Sequence, residues 1–207
     1  MTEDEWGRDP TYVRALSPAL ALAERWWRLS VTGAERVPAE GGVLVVANHA
    51  GRVPWDAALV ARALPRDARV VAPDGPFALP WIGVAARRLG AVPARAANIE
   101  RLLEQGHAVV TFVPSKGYRV GRFTLADVVS RAGAPVVPCA VVGSEEAGTL
   151  PWPVRWRIEF GDALDLRTYG QGESTDRAGL LAGADAVQDC IQAMVYDNLV
   201  RREGAFL

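Results

Sequence analysis

Apolar residues in this chain collect into short unbroken runs, and those runs predict buried strands. Val43 to Val46 is the first, and four consecutive apolar residues read as a strand covered on both faces. Arg69 to Ala72, His107 to Val113 (HAVVTFV) and Ala134 to Val142 (APVVPCAVV) are further candidates. Val154 to Phe160 alternates Val, Trp and Ile with Arg and Glu, the pattern of a half-exposed strand near a sheet edge. Leu29 to Val37 reads as a short strand with a turn at Gly33.

Between these runs the spacing turns helical. Thr11 to about Leu29 predicts one kinked helix or two short ones around Pro18. Ala57 to Leu64 stops before Pro65. Gly75, Pro76, Pro80 and Gly83 break Asp74 to Leu89 into a capped turn and a short helix over Trp81 to Leu89. Asn98 to Gln105 is closed by Gly106, and Phe123 to Ala132 has Thr124 as its N-cap. Asp176 to Arg202 predicts one long helix with Leu180, Leu181, Ala184, Val187, Ile191, Met194, Val195 and Leu199 on its inner face. Residues 1 to 10 read as a loose tail.

Strands alternating with helices predict an α/β fold, a single domain over residues 1–207 with a mixed, largely parallel central sheet flanked by helices. Residues 1–30 form its N-terminal helical segment and residues 176–202 its C-terminal helix. The chain's 207 residues, half of them hydrophobic, suffice for such a core. A formal charge of −1 gives no electrostatic reason to expect nucleic acid. Cys139 and Cys190 lack metal-ligand spacing and read as buried thiols of a reducing cytoplasm, and no metal site is expected.

No apolar run reaches the roughly 18 to 20 residues that span a bilayer. The opening MTEDEWGRDP is acidic, unlike a signal peptide. A cytoplasmic protein is expected, with contact at the inner face of the membrane left open. Trp26 and Trp27 beside Arg25 and Arg28 have interfacial composition; alternatively Trp26 packs into the core and the arginines are solvated, which is the preferred reading.

Candidate chemistry lies at Asn48-His49, where the first apolar run gives way to a loop. The carboxyl ends of parallel strands are where α/β folds bind ligands, and Asp56 follows in the opening turn of the next helix. A base acting on a hydroxyl needs a neutral imidazole, and a carboxylate on the far ring nitrogen fixes the tautomer and stabilises the imidazolium. His49 and Asp56 can supply that pair if the six intervening residues, Gly51 and Pro54 among them, fold back. The alternative is an ordinary hydrogen-bonding pair or helix cap.

The run ANHAGRVPWDA resembles the catalytic block of the glycerolipid acyltransferases, the lysophosphatidic acid acyltransferase-like HxxxxD family, in which Asn-His, four residues and Asp follow one another. The gap of six resembles a divergent bacterial branch reading NHSG, two residues and PxD, with Ala50 in place of serine. Gly90 to Arg95 resembles the second block, one residue short; the resemblance assigns Arg95 to an acceptor's phosphate or head group, and the alternative is a surface arginine. The third block, Phe-Pro-Glu-Gly, survives as Pro114, while Ser115 stands where the glutamate belongs and Lys116 where the glycine does, before Gly117. Ala134 to Val142 matches the fourth block, which lines the acyl site in the family, and Gly143 to Ala147 resembles a GxEEA turn of the same branch. Glu145 and Glu146 read as loop surface rather than site residues.

The resemblance covers roughly residues 30 to 165 and implies a glycerol-3-phosphate acyltransferase-like fold. It implies an acyltransferase in which His49, oriented by Asp56, helps a hydroxyl or amine attack a thioester on coenzyme A or an acyl carrier protein. No cofactor is bound in that scheme: acyl-CoA or acyl-ACP is a co-substrate, and the acceptor is a small molecule or a lipid. Asn48, Gly51, Arg52, Arg95, Pro114, Ser115, Lys116 and Gly117 are the expected substrate contacts. The missing glutamate and short length weigh toward a non-lipid acceptor, such as a secondary metabolite. A non-catalytic member that binds acyl chains or a partner is the alternative.

Overall fold

The computed structural model describes residues 3–49, 55–114, 133–146, 153–166 and 177–202, the side chains at 49, 114, 177 and 180 excepted. Helix α1 (Pro10–Trp26) is followed by β1 (Ser30–Thr32), a 3-10 turn, β2 (Val43–His49), α2 (Trp55–Ala63), β3 (Ala68–Ala72), α3 (Asp74–Ala78) and α4 (Pro80–Arg88). Then come β4 (Ala91–Pro93), α5 (Ala96–Glu104), β5 (Ala108–Pro114), β6 (Val136–Val142), β7 (Arg157–Phe160) and α6 (Arg177–Val200). The strands form one sheet in the order β1-β7-β6-β2-β5-β3-β4. Five strands, β6 to β4 across the sheet, run parallel, whereas β7 lies antiparallel to β6 and carries β1 parallel to itself. The architecture is the mixed, mostly parallel α/β sheet read from the sequence.

β2 shows why its residues are uniformly apolar. Val43, Val45 and Ala47 pack into one core with Trp27, Leu59, Val60 and Leu64, on the side of α1 and α2. Leu44 and Val46 pack into a second core with Ile99, Leu102, Leu103, Val187 and Ile191, on the side of α5 and α6. A strand buried on both faces cannot show polar alternation, and all seven residues of β6 are buried likewise. Gly33, at φ +74°, turns the chain where an added Cβ would lie 2.1 Å from the Phe160 carbonyl oxygen, so only glycine fits.

Three expectations are corrected and one alternative is decided. The segment before α1 is not a loose tail: Asp4 pairs with Arg69, Arg8 grips Asp67 through two bonds of 2.7 and 2.9 Å, and the Trp6 indole N–H donates to Gln105 at 3.0 Å. Its charges, read as tail composition, strap it across the amino ends of β3 and β5. Of the two readings around Pro18, the single helix is the one observed. Trp27, not Trp26, enters the core, at 2% exposure against 50%, because it stacks on Trp156 at 4.5 Å and meets Trp55 edge-on. On α6, Val187 and Ile191 are buried as expected, whereas Leu181 and Leu199 are exposed and Gly183 and Asn198 are buried in addition: the long helix rests on the sheet over a narrower stripe than its apolar content suggests. The predicted helix Phe123 to Ala132 lies outside the described residues.

Candidate active site

β2 and β5 run in register, so that His49 is the Cα partner of Pro114. The first and third sequence blocks therefore meet at the carboxyl edge of the sheet, side by side on adjacent strands. Along β2, Val43, Val45 and Ala47 form the series that packs toward α2. Asp56 stands in the first turn of α2, fully buried, and its carboxylate accepts from the Ala57 N–H at 2.8 Å. A carboxylate there is favoured by the helix dipole, yet withdrawing it from water is costly without hydrogen bonds or a charged partner. The loop that joins the two residues, with Gly51 and Arg52, lies outside the described residues, and so do Ser115, Lys116 and Gly117.

Asn48 is held by a contact that no sequence signal marks. Its side-chain oxygen accepts from the Val141 N–H at 2.7 Å, and its nitrogen donates to the Val141 carbonyl at 2.8 Å. The backbone ladder between β2 and β6 ends one step earlier, at Ala47 opposite Cys139. The amide thus extends the ladder by one rung where the two strand ends part. Both of its ends are committed in this structure, which makes Asn48 a clamp on the carboxyl edge rather than a group free to meet a substrate.

Arg95 occupies the N-cap position of α5, just beyond β4. That is the same edge of the sheet, but three strands from β2, about 14 Å at ordinary strand spacing. Its side chain is 69% exposed and stands 3.8 Å from Asp74, a surface pairing. Glu145 accepts from the Gly143 N–H at 3.1 Å within the turn, and Glu146 pairs with Arg202 just past α6; both are exposed, as expected of loop residues. His107 lies at the opposite end of β5 from Pro114, remote from this edge.

Cys139, one strand over from Ala47, is fully buried. Burial pushes its thiol far above the ordinary range, and Glu159 adds to the effect. A thiol without accessible thiolate is no nucleophile, so this cysteine is core. Among the described residues no group of His, Cys, Asp and Glu could hold a metal ion.

The family model for acyltransferases matches residues 28–142, from the end of α1 through β6. The chain belongs to the acyltransferase family. It is 32% identical to an uncharacterized protein of Mycobacterium tuberculosis, over 98% of this chain and 71% of that one. An uncharacterized protein of Mycobacterium leprae is also 32% identical, over 99% of this chain and 70% of that one. The fold is similar to the crystal structure of the 1-acyl-sn-glycerophosphate acyltransferase PlsC from Thermotoga maritima, with a TM-score of 0.64 and 18% identity over 92% of this chain and 83% of that one. Membership of the family assigns acyl transfer as the general chemistry. No described helix of this acyltransferase-family chain is long and apolar enough to cross a membrane.

Proposed function

We propose that the protein transfers an acyl group from a thioester donor, coenzyme A or an acyl carrier protein, to a hydroxyl or amine acceptor, with His49 as general base and Asp56 orienting it. The observation that carries this reading is the placement of position 49 at the carboxyl edge of a parallel sheet, with a fully buried carboxylate opening the next helix, inside the region that matches the family. In the step envisaged, the imidazole takes the acceptor's proton as the oxygen or nitrogen attacks the thioester carbonyl. The tetrahedral intermediate collapses with cleavage of the carbon–sulfur bond, and the imidazolium returns its proton to the departing thiolate. Positioned acid–base catalysis of this kind contributes about 10²- to 10⁴-fold.

The test is thiol release from acyl-CoA or acyl-ACP over a panel of acceptors. His49→Ala and Asp56→Asn are each expected to lower kcat by about 10²-fold or more. Full activity in His49→Ala refutes the base assignment, and no thiol release from the unaltered protein with either donor points to a non-catalytic binder.

One observation favours a lipid acceptor over the non-lipid one. The segment after the carboxyl end of β3, where α3 gives way to α4, exposes Leu79, Trp81, Ile82 and Val84, with Trp81 at 88%. An exposed apolar cluster with a tryptophan suits a membrane surface, and it begins at the edge of the sheet that carries His49.

A further inference from the structure

The sheet edge that ends in His49 continues, two strands away, into a basic pocket that the acyl-transfer chemistry leaves unused. Val142, Arg157 and Ser30 are successive register partners across β6, β7 and β1, and all three line a cavity of about 530 Å³. That size suits a small-molecule ligand. Five arginines surround it, Arg28, Arg155, Arg157, Arg201 and Arg202, with Trp156. Glu146 answers Arg202 and Asp197 stands 3.9 Å from Arg201. Among the described residues the Arg157 side chain meets the Asn198 side-chain oxygen, at 3.3 Å, while Glu159 is engaged by the Asn198 amide. Among the described residues Arg28, Arg155 and Arg157 have no carboxylate within ion-pair distance. So many guanidinium groups at one concavity, three without carboxylates, call for an anion with several acceptor oxygens.

A second, independent observation is the backbone at Arg28. Helix α1 ends with Leu29 N–H donating to the Glu24 carbonyl at 2.8 Å and Arg28 N–H to that of Arg25 at 3.2 Å. This pair of bonds places a left-handed residue at the position after the cap, where glycine is the unstrained choice. Here the residue is Arg28, at φ +43°, the one non-glycine with positive φ among the described residues. Strain of this kind is kept where the side chain is needed, and this side chain lines the pocket.

We propose that this pocket is a phosphate-binding subsite that anchors the charged end of the thioester donor, a coenzyme A-type molecule, while its acyl end reaches the base. The inference deepens the acyl-transfer reading and rests on it for the donor. Geometry separates the two phosphate sources. At ordinary strand spacing β7 lies about 10 Å from β2. A glycerol phosphate acceptor carries its phosphate only a few bonds from the reacting hydroxyl, whereas coenzyme A carries its phosphates at the far end of a long arm from its sulfur.

Calorimetric titration of the full chain with coenzyme A, adenosine 3′,5′-bisphosphate, glycerol 3-phosphate and inorganic phosphate tests the assignment, in the unaltered protein and in Arg28→Gly, Arg155→Gln and Arg157→Gln. Coenzyme A and the bisphosphate are expected to bind, each substitution to weaken both by about tenfold, and KM for acyl-CoA to rise with kcat and the acceptor KM unchanged. Arg28→Gly is the decisive variant: it removes strain, so Tm holds or rises while affinity falls. The same titrations in a His49→Ala background require no turnover, so a failure of the base assignment leaves this measurement intact. Affinity within twofold of the unaltered protein in all three arginine variants, or no binding of coenzyme A, overturns the subsite. Glycerol 3-phosphate or inorganic phosphate binding as tightly as coenzyme A, and lost in the same variants, overturns the donor assignment.

Discussion

Asn48 and Val141, 93 residues apart, are joined by a reciprocal pair of hydrogen bonds in which a side-chain amide takes the place of a strand's backbone. The contact fixes the carboxyl end of β2 against that of β6, one residue before His49. It thereby ties the candidate base to the part of the sheet that carries the arginine pocket.

Asn48→Ala removes both bonds and leaves the N–H and C=O of buried Val141 without them. Unsatisfied buried groups cost about 1–3 kcal/mol, so a loss of that size is expected from the urea denaturation midpoint, together with a fall in acyl transfer. Asn48→Asp keeps the acceptor but sets a carboxylate against the Val141 carbonyl, and should rescue neither stability nor activity.

His107 supplies a pH dependence. Partial burial holds its imidazole below the ordinary value of 6.5, Arg69 and Arg66 push the same way, and Asp4 and Glu5 oppose them. The unfolded chain then binds the proton more readily than the fold does, so stability rises with pH through the ordinary histidine range and is lost on acidification below about 6.5. Thermal unfolding of His107→Gln, compared with the unaltered protein between about pH 5 and 8, should lack this component. Equal slopes for the two proteins would show that the imidazole contributes nothing.

The exposed α4 patch predicts membrane association. Co-sedimentation with anionic vesicles is expected for the unaltered protein and should fall several-fold in a Trp81→Ser, Ile82→Ser double variant with unchanged Tm, because both side chains are in solvent. Trp26→Ser should change binding little. Absence of binding by the unaltered protein favours the non-lipid acceptor.

The sequence by itself determined the sheet's buried strands and most of the helices between them, because unbroken apolar runs and Gly or Pro stops are local signals. It also placed His49 and Asp56 at a strand end and a helix start, through a motif written in eleven contiguous residues. Which tryptophan is buried was not legible: Trp26 and Trp27 are alike in composition, and only the ring of Trp156, brought in by β7, selects the second. The same holds for the N-terminal strap, whose acidic residues look solvated until β3 and α5 present Arg69 and Arg101 to them. Arg28, Arg155, Arg157, Arg201 and Arg202 come from the end of α1, β7 with the segment before it, and the end of α6. Only the reversal of β7 against β6 gathers them on the edge that holds position 49. Local pattern decides where the chain is apolar and where it turns; long-range strand order decides which charges become neighbours.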